Sequence, residues 1–209
     1  LNNDSNELWL IDDIKITGDG YSTKTWNGTT WVGGTPTIGD KAVIDGDYST
    51  ASNGSFTACQ CQVNSGKTLT ISPSTSLVDN SLTIKYNLNN LGNVNVESDA
   101  SLIQLANNTV ANSGSITVKR DAHAMKYLEY TYWASPVSGQ TFKSFSPTTP
   151  DARFYQYNES NDLFESIQNP LTNVFGNNKS GIFESAAKGY AIRYYGTSNL
   201  FTGTFKGVP

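Results

Sequence analysis

The chain has 209 residues, 37% of them hydrophobic and 15% charged, with a formal net charge of −4. Both fractions lie below the averages of globular domains, and the negative balance argues against the basic face that nucleic acid or an anionic membrane requires. No apolar stretch approaches the roughly 20 residues of a membrane-spanning helix, so no transmembrane segment is expected.

Residues 1–18 alternate from Leu8 to Ile16, which predicts a strand. The run W-L-I-D-D-I-K-I resembles the closing strand of jelly-roll modules on bacterial surface proteins. The segment is therefore read as the terminal strand of a preceding jelly-roll-like domain. Leu1 is not a natural start, so a piece of a longer protein is expected. Asp12-Asp13 reads as two solvated carboxylates in preference to a cation site.

Residues 19–58 are rich in Gly, Thr, Asp and Trp. Asn27-Gly28 signals a hairpin and Gly33-Gly34 a second break. Ala42-Val43-Ile44 reads as a short strand ended by Asp45-Gly46-Asp47. Trp26 and Trp31 admit two readings: a platform for carbohydrate, or a cover for the open end of a coil. The second is favoured, because a solenoid must hide its apolar cross-section. Asp40, Asp45 and Asp47 are the candidate ligands for a structural calcium, which takes several oxygens from a flexible loop. Hydrated turn carboxylates are the more ordinary reading.

Residues 59–120 repeat. Asn-x-Gly recurs at Asn64, Asn90 and Asn112, at spacings of 26 and 22 residues. Each is followed by an alternating pair: Leu69 and Ile71, Val94 and Val96, Ile116 and Val118. Ser76-Leu77-Val78 returns as Ser101-Leu102-Ile103, 25 residues later. A period of this size built from short strands and polar corners predicts a coil wound one turn per repeat. The three alternating runs should stack as parallel strands, with Asn64, Asn90 and Asn112 at equivalent corners. Dense Asn from Asn87 to Asn95 suits stacked amide ladders. Cys59 and Cys61 are the only cysteines. In a strand their Cα atoms would lie about 6.6 Å apart, at the long edge of disulfide geometry, so two buried thiols are expected.

Residues 121–209 hold most of the aromatics, in runs read as strands at 126–134, 152–158, 162–167, 188–195 and 200–206. Irregular strands without a period predict a β-sandwich. Little helix is expected. No Gly/Ser/Pro-rich linker separates the halves between 112 and 135, so they should form one rigid body, with strand 126–134 covering the coil's open end. The fold class is thus all-β: a short β-solenoid-like region with an N-terminal cap (19–120), packed on an aromatic-rich sandwich-like domain (121–209).

From Thr25 onward the chain resembles secreted multidomain cargo proteins of the type IX secretion system of Bacteroidetes. Three stretches carry the resemblance. They are T-W-N-G-T-T-W with A-V-I-D-G-D-Y-S-T, V-N-S-G-K-T-L-T-I, and Y-T-Y-W-A-S-P-V-S-G-Q followed by R-F-Y-Q-Y-N, K-G-Y-A-I-R and F-T-G-T-F-K-G-V-P. In that family such a block precedes a C-terminal sorting domain. The resemblance implies secretion or a cell-surface location and contact with the export machinery. It transfers no catalytic residue.

Function is read accordingly as a non-enzymatic stalk, spacer or adhesion module. One alternative is a carbohydrate-binding module of a secreted hydrolase, with Trp26, Trp31, Tyr194 and Tyr195 as its platform and cell-surface polysaccharide as its partner. Another is an export cargo held by the translocon. His123 is the only histidine, and no nucleophile motif accompanies it. A lone histidine of this kind is ordinarily structural.

Overall fold

A short strand with apolar residues at alternate positions buries one face only if another layer covers it. Here the chain covers itself by winding into a coil. The computed structural model describes residues 20–73, 81–106, 110–167, 188–198 and 200–209. The strand expected at 8–16, the Asp12-Asp13 pair and the Ser76–Val78 echo lie outside them.

The coil opens with β1 (Thr23–Trp26), joined through Asn27-Gly28 to the antiparallel β2 (Trp31–Val32). One turn then runs through β3 (Lys41–Ile44), β4 (Tyr48–Ser49), the single-turn helix α1 (Thr50–Asn53) and β5 (Phe56–Ala58). The next runs through β6 (Gln60–Val63), β7 (Thr68–Ile71) and β8 (Ser81–Ile84), and the one after through β9 (Leu88–Asn90), β10 (Asn93–Val96) and β11 (Ser101–Gln104). The last coil strand is β12 (Ile116–Asp121). Three parallel ladders result, β1-β3-β6-β9, β4-β7-β10-β12 and β5-β8-β11. This is a three-sided β-solenoid of about four turns.

The expected stacking is present. Leu69 lies level with Val94, and Ile71 with Val96 and Val118. These five residues and Ile116 are buried. On another side Ala42, Cys61 and Leu88 form one buried column. Cys61 therefore points into the coil between two apolar neighbours, while Cys59 lies at the preceding corner. Both thiols are free, as expected.

The three Asn-x-Gly motifs share one corner of the coil but not one register. Asn90 lies level with Val63, and the Asn89–Ser113 bridge places Asn112 level with Leu88. Asn64 bonds Asp45, Asn90 bonds the Ser115 carbonyl, and Asn112 bonds Gln104 and the Pro209 carbonyl. The expectation of equivalent corners thus fails in detail, because corner length changes from turn to turn. The ladders are mixed as well: Asn89 stacks between Gln62 and Ser113, and Asn95 between Thr70 and Thr117. Gly114 has φ 80°, and a Cβ there would overlap the Asn90 carbonyl oxygen. Close stacking of corners is what demands glycine at that point.

Each end of the coil is closed differently. At the first turn Trp26, Trp31, Tyr48 and Phe56 meet with ring centroids 4.9–5.7 Å apart, largely edge to face. Beyond the last turn the chain forms β13 (Tyr130–Trp133), the short helix α2 (Phe142–Phe145), β14 (Phe154–Asn158), β15 (Leu163–Ser166), β16 (Tyr190–Arg193) and β17 (Thr202–Gly207). β17 pairs antiparallel with β12 over six residues, from Ile116–Gly207 to Asp121–Thr202. The strand that covers the coil's edge is therefore β17. The run expected to do so, 126–134, contains β13, which pairs with β16 instead and contributes one ring, Trp133. The covering job falls to β17 because its exposed–buried alternation places Phe205 level with Val118.

The remaining strands form an antiparallel sheet in the order β13-β16-β14-β15. Its inner face carries Trp133, Phe154, Tyr190 and Ile192, all buried. Between this sheet and β17 lies α2, whose Phe145 stacks on Phe205 at 4.4 Å and meets Trp133 at 5.0 Å. One buried apolar cluster runs from Trp26 through the coil to Tyr190 and Phe205. The coil and the sandwich-like layers thus share a single core.

Candidate functional site

In a sheet covered on one side, every second residue of each strand faces outward. On β13, β16, β14 and β15 those residues are Tyr130 and Tyr132, Ala191 and Arg193, Tyr155 and Tyr157, and Phe164 and Ser166. Register places Ala191 between Tyr132 on one side and Tyr155 on the other. The small residue forms a floor, and the rings lean over it. Tyr132 and Phe164 approach to 6.2 Å at 45°, and Tyr130 and Tyr155 to 5.8 Å at 66°. The result is an open cradle of about 330 Å³, lined by Tyr130, Tyr132, Tyr155, Phe164 and Ala191. Its volume falls at the small end of the ligand-site range of about 300–1,000 Å³. Tyr132 is 67% exposed and Phe164 49%, while Ala191 is buried beneath them.

Two guanidiniums converge on one rim. Arg193 lies 5.3 Å from the centroid of the Tyr130 ring, and its Nε donates to the Leu128 carbonyl at 3.0 Å. Leu128 is held at φ 72°, a left-handed conformation that costs a non-glycine residue about 1–3 kcal/mol. Its N–H donates to the Tyr194 carbonyl, which fixes this turn against the end of β16. Arg153 donates from Nη1 to Tyr155 Oη at 3.0 Å. Among the described residues the ion pairs are Lys119–Glu97 and Lys143–Asp151, so neither guanidinium faces a carboxylate there. Burial pushes the Tyr155 phenol up. The hydrogen bonds to Arg153 and Tyr130 and the charges of Arg153 and Arg193 outweigh it, and the phenol lies below its ordinary value.

Of the residues singled out from sequence, Tyr195 borders the rim through Arg153, and the others lie elsewhere. Trp26 is 5% exposed; its Nε1 donates to the Asp47 carbonyl and its ring meets Trp31 at 61°. Tyr194 is buried with its hydroxyl bonded to the Ser198 carbonyl, and Tyr195 meets Tyr127 edge-on at 80°. The four rings do not form one coplanar exposed surface, so the structure does not assemble them as a sugar platform. The two tryptophans pack with Tyr48 and Phe56 over the first turn of the coil.

The three aspartates are likewise separate. Asp40 accepts from Ser22 Oγ and from the N–H and hydroxyl of Thr37, and these bonds hold its carboxyl down at about 2. Asp45 accepts from Asn64 Nδ2, and Asp47 from the Thr68 N–H, both on the next turn of the coil. Their hydrogen bonds tie successive turns together. Among the described residues no three of His, Cys, Asp and Glu gather at one point. His123 is exposed.

The cradle was missed because its rings come from three strands. The available signal was the alternation Tyr130-x-Tyr132 and Tyr155-x-Tyr157, which on an outer face leaves aromatics in solvent. No helix among the described residues is long and apolar enough to cross a membrane. A family model described as a domain of unknown function (DUF8693) matches residues 17–209. No curated protein and no solved structure matches the chain.

Proposed function

The chain belongs to the DUF8693 family, and we propose that it serves as a non-enzymatic structural and adhesion module of a secreted or cell-surface protein. The observation that carries this reading is the single core. Aromatic rings pack over the coil's first turn, β17 covers its last strand, and the core continues into the antiparallel sheet. One continuous core suits a stiff spacer.

The path of the chain suits a spacer. Ser22 bonds Lys41 beside the first turn, whereas Pro209 bonds Asn112 beside the last. The stack of ladders adds length between these two residues at about 4.8 Å per strand. The outward aromatic face adds a surface for adhesion.

Export by a type IX pathway belongs to the same proposal and rests on the three resembling sequence stretches. Fractionation of the natural source, with intact-mass and peptide mapping, tests it. Recovery from the medium or the outer surface supports the reading, and recovery only from the cytoplasm refutes it. Solution scattering tests the rigid module: two independently moving lobes would refute it. Turnover of polysaccharide, nucleic acid or peptide that is lost in His123→Ala would overturn the non-enzymatic part.

A further inference from the structure

We propose that the outer face of the β13-β16-β14-β15 sheet binds an acidic glycan, with a pyranose ring over Ala191 and its carboxylate against Arg153 and Arg193. The inference deepens the adhesion reading above and rests on it for its biological setting, but the site is argued from its own geometry.

Four rings surround the cradle, and three of them are tyrosines. An aromatic face attracts the polarised C–H groups of a sugar ring, and a phenol rim supplies hydrogen bonds to its hydroxyls. The floor is a single small side chain, so a flat ring can descend between the walls without displacing backbone. Deep apolar anchors of a protein partner would instead call for a dry pocket without hydroxyls at its edge. A proline-rich peptide wants an extended aromatic groove. This cradle is short, and its ring pairs are inclined at 45° and 66°.

Charge selects among sugars. Arg153 donates to the Tyr155 hydroxyl, and Arg193 lies over Tyr130, whose ring meets Tyr155 at 5.8 Å, so the two guanidiniums stand at the same rim. Neither meets a carboxylate among the described residues. Guanidinium is the side chain best shaped to take a carboxylate through two parallel N–H bonds. The strained Leu128 carbonyl holds Arg193 Nε, which leaves its terminal nitrogens beside the Tyr130 ring. A uronate supplies both features the site lacks: a flat face for the rings and a carboxylate for the guanidiniums.

The test is calorimetric titration of the whole chain with a homogalacturonan oligosaccharide, its carboxyl-reduced counterpart, a cello-oligosaccharide and a proline-rich peptide. The uronate should bind, and binding should weaken about tenfold or more with Tyr132→Ala, Phe164→Ala or Arg153→Gln. Tyr132→Phe should retain most of the affinity. Carboxyl reduction or raised salt should weaken binding as well. Unchanged thermal unfolding of the variants, whose side chains are exposed, separates loss of the site from loss of the fold. The proposal falls if no uronate binds, if the neutral sugar or the peptide binds better, if the variants bind like the parent, or if the face is instead occupied by a second copy, shown by concentration-dependent mass. Each of those outcomes leaves the rigid-module reading intact, because that reading is decided by scattering and fractionation.

Discussion

Replacing Phe205 by Ala probes the join between coil and sheet. Phe205 is 1% exposed, sits on β17 level with Val118, and stacks on Phe145 at 4.4 Å and 25°. Truncating a buried Phe costs about 3–5 kcal/mol through lost transfer energy and the cavity left behind. That is a large share of the roughly 5–15 kcal/mol that holds a folded domain. For a urea m-value at the upper end of about 1–3 kcal/mol/M, the midpoint should fall by about 1–2 M. The single core makes a further demand: coil and sheet should lose structure at the same lowered midpoint. Urea unfolding followed by circular dichroism, with hydrogen-exchange mass spectrometry on peptides from 41–71 and 154–166, reads both halves. Tyr132→Ala, on the exposed face, is the control and should shift stability by no more than about 0.5 kcal/mol. If the 154–166 peptides open early while the 41–71 peptides keep the parent midpoint, the shared-core reasoning is wrong.

Three further outcomes are expected. Gly114→Ala should destabilise by at least the roughly 1–2 kcal/mol cost of a left-handed alanine, since its Cβ also meets the Asn90 carbonyl; a parent-like melting temperature would refute the stacked-corner account. The Asp40 carboxyl, held at about 2 against an ordinary 3.8, contributes stability that is fully present above about pH 4 and lost as pH falls through about 2. Asp40→Asn should therefore lower stability at pH 7 and flatten its decline between about pH 4 and 2, and an unchanged acid limb would refute the assignment. Burial pushes the Cys61 thiol up to about 12, so iodoacetamide at pH 8 should leave it unmodified in the folded protein and label it after unfolding, as peptide mass mapping would show.

The coil was legible because its signal is local. Leu69, Val94 and Ile116 mark strand faces by alternation, and their spacing sets the turn. The Asn-x-Gly tripeptide marked the right corner but not its register, since corners of different length shift Asn90 and Asn112 against Asn64. Capping by Trp26 and Trp31 was legible from the need to close an apolar cross-section. The β12–β17 pairing was not, because its partners lie 81 to 91 positions apart (202 − 121 and 207 − 116), and no local pattern encodes a partner at that distance. The cradle stayed hidden for a related reason: Tyr132, Tyr155 and Phe164 become neighbours only through the strand order β13-β16-β14-β15.

The distant partner of β12 also sets a clock. Strands β3 to β12 can be laid down in chain order, each on the rung before it. Asp121 is finished 80 residues before Thr202 follows, counting 122 to 201. At about 5–20 residues per second of synthesis, the last rung waits about 4–16 s with its edge bare. During that interval Ile116 and Val118 present a flat ladder to any strand nearby, whether from a chaperone or from another nascent chain. Arrival of residues 202–207 ends the exposure, so the last rung is protected only once the distant partner of β12 has been made.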